Sequence, residues 1–425
     1  MAGDDVSAGL DAHSYPLDSM HPDGEQLPVF ESSATKGEIV GLGEATHGTH
    51  ELFTLKQRLL CHLVAECGFR TVAFETDFVN TLALDEFVHH GVGTPADALD
   101  DLILWVWKTE TIRDTVEWLR TFNVGRPPED RVRIYGVSLS NPSGPADRLR
   151  TVLSDIDRAI PEQDRLTRLA DEEIPDNGVA RDSFLDSGIT VAATLRDHLN
   201  EHREEFVEQW SERGWETAVH LCRHLEQNCE WNRLRLATEG FNSDAFECRD
   251  QYMAENATWC VETDPGNGVI VWAHNTHIKR GSFDMAHEWA SGTTMGEFLT
   301  REHGSRYHPY ATDFAHGAYR AVANADTPQN RGVRTITAIE PPTASATAVL
   351  DSVDTPNAFF NIERAADDSR LTSWVKNRQL RAVSAVVDPS AGRERRIMET
   401  DLDASFDGLF VAEETTPSIP LDTVP

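Results

Sequence analysis

Residues 38–43 form a short apolar run closed by glycine, and beyond residue 50 the period changes: Leu52, Phe53, Leu55, Leu59, Leu60, Leu63 and Val64 recur with helical spacing. The first run predicts a buried strand ending in a tight turn; the second predicts an amphipathic helix with Gly68 as its C-terminal cap. A further apolar run, 71–74, stops at Glu75. Residues 38–75 therefore predict a strand–helix–strand unit whose two strands pair in parallel. Runs at 132–137 and 269–273 predict two more strands, and shorter apolar runs at 382–387 and 408–411 predict that the C-terminal part completes the sheet.

Between the third and fourth of these strands lies a long polar region with helical periodicity, rich in Arg, Glu, Asp and Leu. The pattern divides the chain into an ordered N-terminal arm (1–35), a first part of an α/β catalytic core (36–144), a helical insertion (145–260) and a second part of the core (261–425). No period of 20 to 50 residues repeats, which argues against a solenoid or propeller. The fold class expected is α/β with a mainly parallel sheet and a large helical insertion.

Composition adds a solvent and a compartment. The 425 residues carry a formal charge of −33 spread along the whole chain, which repels nucleic acid and anionic membranes. Lysine is scarce, confined to Lys36, Lys56, Lys108, Lys279 and Lys376, and the other formal cations are arginines. Dispersed acid with few lysines fits a protein that works in concentrated salt, where the Debye length falls to about 3 Å at 1 M and self-repulsion is screened. Six scattered cysteines without a CxxC pair fit a reducing interior and give no zinc finger. No export signal and no membrane-spanning run is evident, so a cytoplasmic location is expected.

In an open parallel sheet, ligands sit beyond the carboxyl ends of the strands. Glu44 and His47 follow the first strand, Glu75 ends the second, Ser138 follows the third, and His274 and His277 follow the fourth. One such residue is usually structural; coincidence at four strand ends marks a site. An imidazole of ordinary pKa, about 6.5, accepts protons near neutrality, so His47 is the candidate general base with Glu44 to orient it. Lys56 falls in the middle of the apolar stripe of its helix, where an ammonium requires a carboxylate partner, Glu75 or Glu44, unless it snorkels to the surface. Lys56, or His274 and His277 as donors, would stabilise an oxyanion, which suits general-base hydrolysis of an ester or related acyl bond.

Competing chemistries leave weaker traces. Gly136-Val137-Ser138-Leu139-Ser140 lacks the final glycine of a serine-hydrolase elbow. His50-Glu51 and His287-Glu288 have no second histidine where HExxH requires one, and no Walker or dinucleotide glycine motif occurs. A divalent metal held by His47, His274, His277 and a glutamate is the alternative arrangement; otherwise no cofactor is expected. Trp105, Trp107 and Trp289 would line an apolar cleft or else belong to the core.

The segments Gly41-Leu42-Gly43-Glu44-Ala45-Thr46-His47-Gly48-Thr49-His50-Glu51 and Trp272-Ala273-His274-Asn275-Thr276-His277 resemble the two signature segments of the erythromycin esterase family. Glu117-Trp118-Leu119-Arg120 with Asn123, Arg249-Asp250 with Met253-Ala254-Glu255-Asn256, Met295-Gly296 and Phe406-Asp407-Gly408-Leu409 are similar to family landmarks and extend the resemblance over most of the chain. The resemblance implies a three-layer α/β/α core with a helical portion, and metal-independent hydrolysis of a macrolide-type lactone by activated water. It makes His47 the general base and Glu44 its neighbouring carboxylate, with Glu75, His274 and His277 completing the catalytic set. Lys56 stands where members carry a basic residue, and with His50, Trp107 and Arg249 it forms the candidate substrate-binding set. Ser138 departs from the pattern, since an aspartate is expected after Tyr135-Gly136-Val137. The implied partner is a small-molecule ester or lactone, with no nucleic acid or membrane; the oligomeric state is unknown. A metal-dependent hydrolase or transferase, or a non-catalytic ligand-binding homologue, are the rival readings.

Overall fold

The computed structural model describes residues 2–24, 27–35, 38–154, 159–264, 266–285, 290–323, 332–342, 344–352, 355–388 and 392–421. The chain forms two compact units. The first takes Met1–Glu75, Thr81–Tyr135 and Ala254–Pro425; the second takes Thr76–Asn80 and Gly136–Met253.

The strands in chain order are β1 (Ser14–Pro16), β2 (Ile39–Leu42), β3 (Thr71–Asp77), β4 (Arg133–Ser138), β5 (Val269–Trp272), β6 (Ser282–Met285), β7 (Ser291–Thr293), β8 (Tyr307–Ala323), β9 (Val333–Thr337), β10 (Asn357–Asn361), β11 (Arg378–Arg381), β12 (Val386–Val387), β13 (Ile397–Thr400) and β14 (Gly408–Thr415). The main sheet runs β1-β10-β14-β8-β2-β5-β3-β4, and β9 and β12 also pair with β8. Its centre is parallel, from β14 through β8, β2 and β5 to β3. Antiparallel pairs occur at β1–β10, β10–β14 and β8–β9.

Three details depart from the sequence reading. β2 and β3 do not pair with each other, because β5 lies between them and is parallel to both. The run 382–387 is not one strand: only Val386–Val387 ladders with β8, while Val383 makes a lone bridge to Thr46. A separate antiparallel sheet, β11-β13-β6-β7, was not anticipated. Its strands are four residues or fewer; β6, β11 and β13 mix charged with apolar positions and β7 is Ser-Gly-Thr, too short for alternation to stand out.

Side-chain alternation explains the layers. On one face of the sheet Val40, Leu42, Val72, Phe74, Ile270 and Trp272 join the buried cluster that includes Leu52, Leu59 and Leu63 of the helix His50–Ala65. On the other, a side chain at Gly41 would meet Ile278 and the Tyr307 hydroxyl, so the helix Asn275–Ile278 covers the opposite face. The architecture is α/β with helices on both faces of a mainly parallel sheet. The N-terminal segment carries the helices Ala2–His13 and Pro28–Ala34 around edge strand β1, and Phe30 packs edge-on against Tyr310 and Phe410.

The second unit is largely helical, with Ser143–Ser154, Gln163–Asp171, Gly178–Glu201, Arg203–Trp210, Glu212–Arg235 and most of Ser243–Thr263. Leu185, Ala192, Leu195 and Leu199 are buried along Gly178–Glu201, and Ala218, Leu221, Cys222, Leu225 and Cys229 along Glu212–Arg235. Gly188 leaves room for the Cys229 thiol where these two helices meet.

Candidate active site

Strand register assembles the site. Leu42, Trp272 and Phe74 are partners across β2, β5 and β3, so the next residues of each strand, Gly43-Glu44, Ala273-His274 and Glu75, leave the sheet at one level. The turn that follows β2 is held by its backbone. The Val383 amide donates to the Ala45 carbonyl over 2.9 Å, and the Arg320 and Ser418 amides donate to the Gly48 carbonyl over 2.9 and 2.8 Å. A side chain at Gly48 would run into the Arg320 carbonyl oxygen; only glycine permits that approach.

Glu44 is the hub. Its Oε1 accepts a 2.6 Å hydrogen bond from His47 Nδ1, and its Oε2 accepts from Lys56 Nζ over 2.6 Å and from the Trp272 indole N–H over 2.9 Å. Burial alone would push the Glu44 carboxyl up, but the Lys56 ammonium and the hydrogen bond to His47 outweigh it and hold it down at about 2. Burial draws the Lys56 ammonium down to about 8 against the opposing pull of Glu44 and Glu75, so it is cationic at neutral pH. Lys56 is fully buried, lies 4.5 Å from the Trp272 ring centroid and donates to the Ala273 carbonyl. This places it behind Glu44, with no exposed surface to offer a substrate.

An ionised Glu44 can only accept, so His47 Nδ1 carries the proton. In the neutral ring Nε2 is then the basic nitrogen, and none of the described residues hydrogen-bonds it. His274 lies beside it, the ring centroids 5.1 Å apart. His274 Nδ1 accepts from the Thr276 amide at 3.2 Å, and Nε2 faces the Ala45 carbonyl at 3.3 Å. Burial, with the His47 charge next, pulls the His274 pKa down to about 3. His274 is thus neutral, with both nitrogens engaged. Glu75 Oε2 accepts from the His274 amide over 2.9 Å, and Glu75 Oε1 lies 3.2 Å from His277 Nε2.

Glu44, His47, Lys56, Glu75, His274 and His277 are therefore gathered in the first unit. His50 opens the helix His50–Ala65, and its buried Nδ1 has no hydrogen-bond partner among the described residues. Trp107 is a core residue, edge-on to Phe74 at 5.0 Å and almost wholly buried, and packing of that kind leaves no face for a ligand. Arg249 belongs to the second unit, where Nε and Nη2 donate to Ser138 Oγ over 3.0 and 2.8 Å. Trp105 is partly buried against the core, and Trp289 lies outside the described residues. Glu31, His62 and Cys67 are a group of ligand-type atoms within 4.8 Å of one another among the described residues.

Sequence reasoning missed the Trp272 indole, which reads as one more apolar residue of a buried strand. It also missed a buried polar cluster in the second unit. There Asp77 Oδ2 accepts from Ser140 Oγ over 2.8 Å and lies 3.0 Å from His224 Nε2, while Asn228 Oδ1 accepts from the Ser140 amide. The readable signal was the four-residue spacing of His220, His224, Asn228 and Asn232 along one helix face.

The sequence profile of the family described as erythromycin esterase matches residues 64–415. The chain belongs to the erythromycin esterase family. Among named relatives, YbfO of Bacillus subtilis, to which hydrolase activity is ascribed by name only, is 24% identical over 426 aligned residues, covering 96% of this chain and 91% of the relative. Erythromycin esterase type II of Escherichia coli is 22% identical, covering 89% of this chain and 90% of the relative. Among solved structures, a Bacillus cereus protein superposes with TM-score 0.82 at 22% identity over 99% of this chain and all of its own. A mutant of the erythromycin esterase EreC in its open conformation superposes with TM-score 0.68 at 16% identity, over 97% of this chain and 100% of that one. The erythromycin esterase fold is thereby shown, and the family makes the chain a hydrolase with a small-molecule substrate. Among the described residues no helix is long and apolar enough to cross a membrane.

Proposed function

We propose that this erythromycin esterase family member hydrolyses a carboxylic ester or lactone by general-base attack of water, without a metal or other cofactor. The observation that carries the reading is the Glu44 carboxylate bonded at once to His47 Nδ1 and Lys56 Nζ. It fixes the imidazole tautomer and leaves Nε2 to take the proton. Water adds to the acyl carbon as its proton passes to His47 Nε2; the tetrahedral adduct then expels the alkoxide, which takes that proton back. His277, beside Glu75, is the candidate N–H donor to the developing oxyanion. The Escherichia coli relative is named for erythromycin, which supports a macrolide lactone as the first substrate to try.

A panel of esters and macrolides in high salt, with and without chelator, tests this. His47→Ala and Glu44→Gln are expected to lose about 10²–10⁴-fold in kcat. Full turnover by His47→Ala would refute the base assignment, and abolition of wild-type turnover together with restoration by metal would favour a metal-dependent mechanism.

A further inference from the structure

The helix Pro28–Ala34, the last turn of the helix His50–Ala65 and the residues just beyond that helix bring together three side chains of metal-binding type. They are Glu31, His62 and Cys67, each half-buried, with one ligand atom apiece all within 4.8 Å of one another. None belongs to the Glu44 cluster. We infer that Glu31, His62 and Cys67 form a binding site for a thiophilic divalent cation such as Zn²⁺, a fastener between the N-terminal segment and the helix that carries Lys56.

Three observations support it. The donor set joins imidazole, thiol and carboxylate, which Zn²⁺ accepts together. His62 Nε2 is buried without a hydrogen-bond partner among the described residues, and Glu31 Oε2 lies 3.4 Å from it. A ring nitrogen withdrawn from water normally has a partner, and a metal would supply one. The carboxylates of Glu31 and Glu66 lie near enough to the Cys67 thiol to act on it electrostatically, an environment suited to a cation. In a tetrahedral site with ligands at about 2.0–2.3 Å the donor atoms stand roughly 3.3–3.7 Å apart, so side-chain rotations of about an ångström close the set, leaving a fourth position for water. A single cysteine followed by a glycine gives no CxxC signature, which is why the spacing in the chain conceals the arrangement.

The test uses the full chain, stripped with chelator and kept in high salt so that the acidic surface does not hold divalent ions by charge alone. Titration with Co²⁺ is expected to give one equivalent with a sulfur-to-cobalt charge-transfer band that Zn²⁺ displaces. Cys67→Ser is expected to lose the band, His62→Gln to weaken binding at least tenfold, and Zn²⁺ to raise the melting temperature of wild type but not of Cys67→Ser. Far-ultraviolet circular dichroism of the metal-free variants, compared with metal-free wild type, verifies that they fold; Glu31→Gln, on the surface side of the site, provides the same readout should Cys67→Ser fail to fold. No charge-transfer band, a band that survives Cys67→Ser, or equal stabilisation of both chains would overturn the assignment. Ester turnover by Cys67→Ser is expected to equal wild type. Turnover lost in step with the metal would place the ion at the reacting centre instead, and overturn it as well.

Discussion

The Glu44 carboxylate serves the base and the buried ammonium together, and that sharing has measurable consequences. Above about pH 8 Lys56 loses its proton, and Glu44 loses the charge that holds it ionised. The pH–rate profile is expected to fall on that limb, and Lys56→Met to abolish the limb along with most of the activity. Lys56→Met also strands a buried carboxylate, which costs about 3–5 kcal/mol and is read in urea denaturation. Stability follows a different course from activity. Between its folded value of about 8 and its ordinary 10.5, Lys56 is protonated in the unfolded chain but not in the folded one, so stability rises with pH where turnover falls. On the acid side, His274 has a folded value near 3 against an ordinary 6.5. The unfolded chain therefore gains a proton that the folded chain refuses, and stability declines as pH falls below 6.5. Glu44, held at about 2 against an ordinary 4.5, steepens the decline below pH 4.5. Chemical denaturation across pH 3 to 10 checks both windows.

At the scale of elements, the turn after β2 depends on Gly48. Gly48→Ala is expected to push the turn off Arg320, to destabilise the protein by roughly 1–3 kcal/mol and to lower kcat more than it changes KM, since it displaces His47 without touching a substrate surface. Melting curves and steady-state kinetics separate the two effects. The helix His50–Ala65 and the strands at 39–42, 71–77 and 269–272 were legible because each has a strong local period. Glu44 and His47 share one turn, and a wheel and a desolvation argument left Glu75 or Glu44 as the Lys56 partner unless it snorkels, of which Glu44 is the one bonded to it. What could not be read was non-local. Strand order was hidden because nothing in β2 or β3 reports that β5 separates them. The seventeen-residue β8 was missed because Pro309 and Gly317 interrupt it and its first nine residues are all buried, erasing the alternation. Trp107 looked available for a ligand because burial against Phe74 is a property of packing, not of the residue type.

At the scale of the whole molecule, a net charge of −33 leads us to propose that the protein works in concentrated salt. We expect the melting temperature to drop on dialysis from molar to low salt, because self-repulsion reappears as screening is lost; an unchanged circular dichroism spectrum and melting curve would refute salt dependence. The insertion of β5 between β2 and β3 also governs how the chain reaches its native state. During synthesis the ribosome delivers β2 and β3 early, yet the strand that joins them follows only after the helical unit has emerged. Until then both expose unpaired edges, and Glu44 and His47 lack Trp272 and His274. Such late, long-range closure predicts slow refolding and a vulnerable nascent chain. A fragment ending at Asn267 is expected to bind hydrophobic dye and to melt without cooperativity, whereas the full chain acquires its sheet and its chemistry in one step.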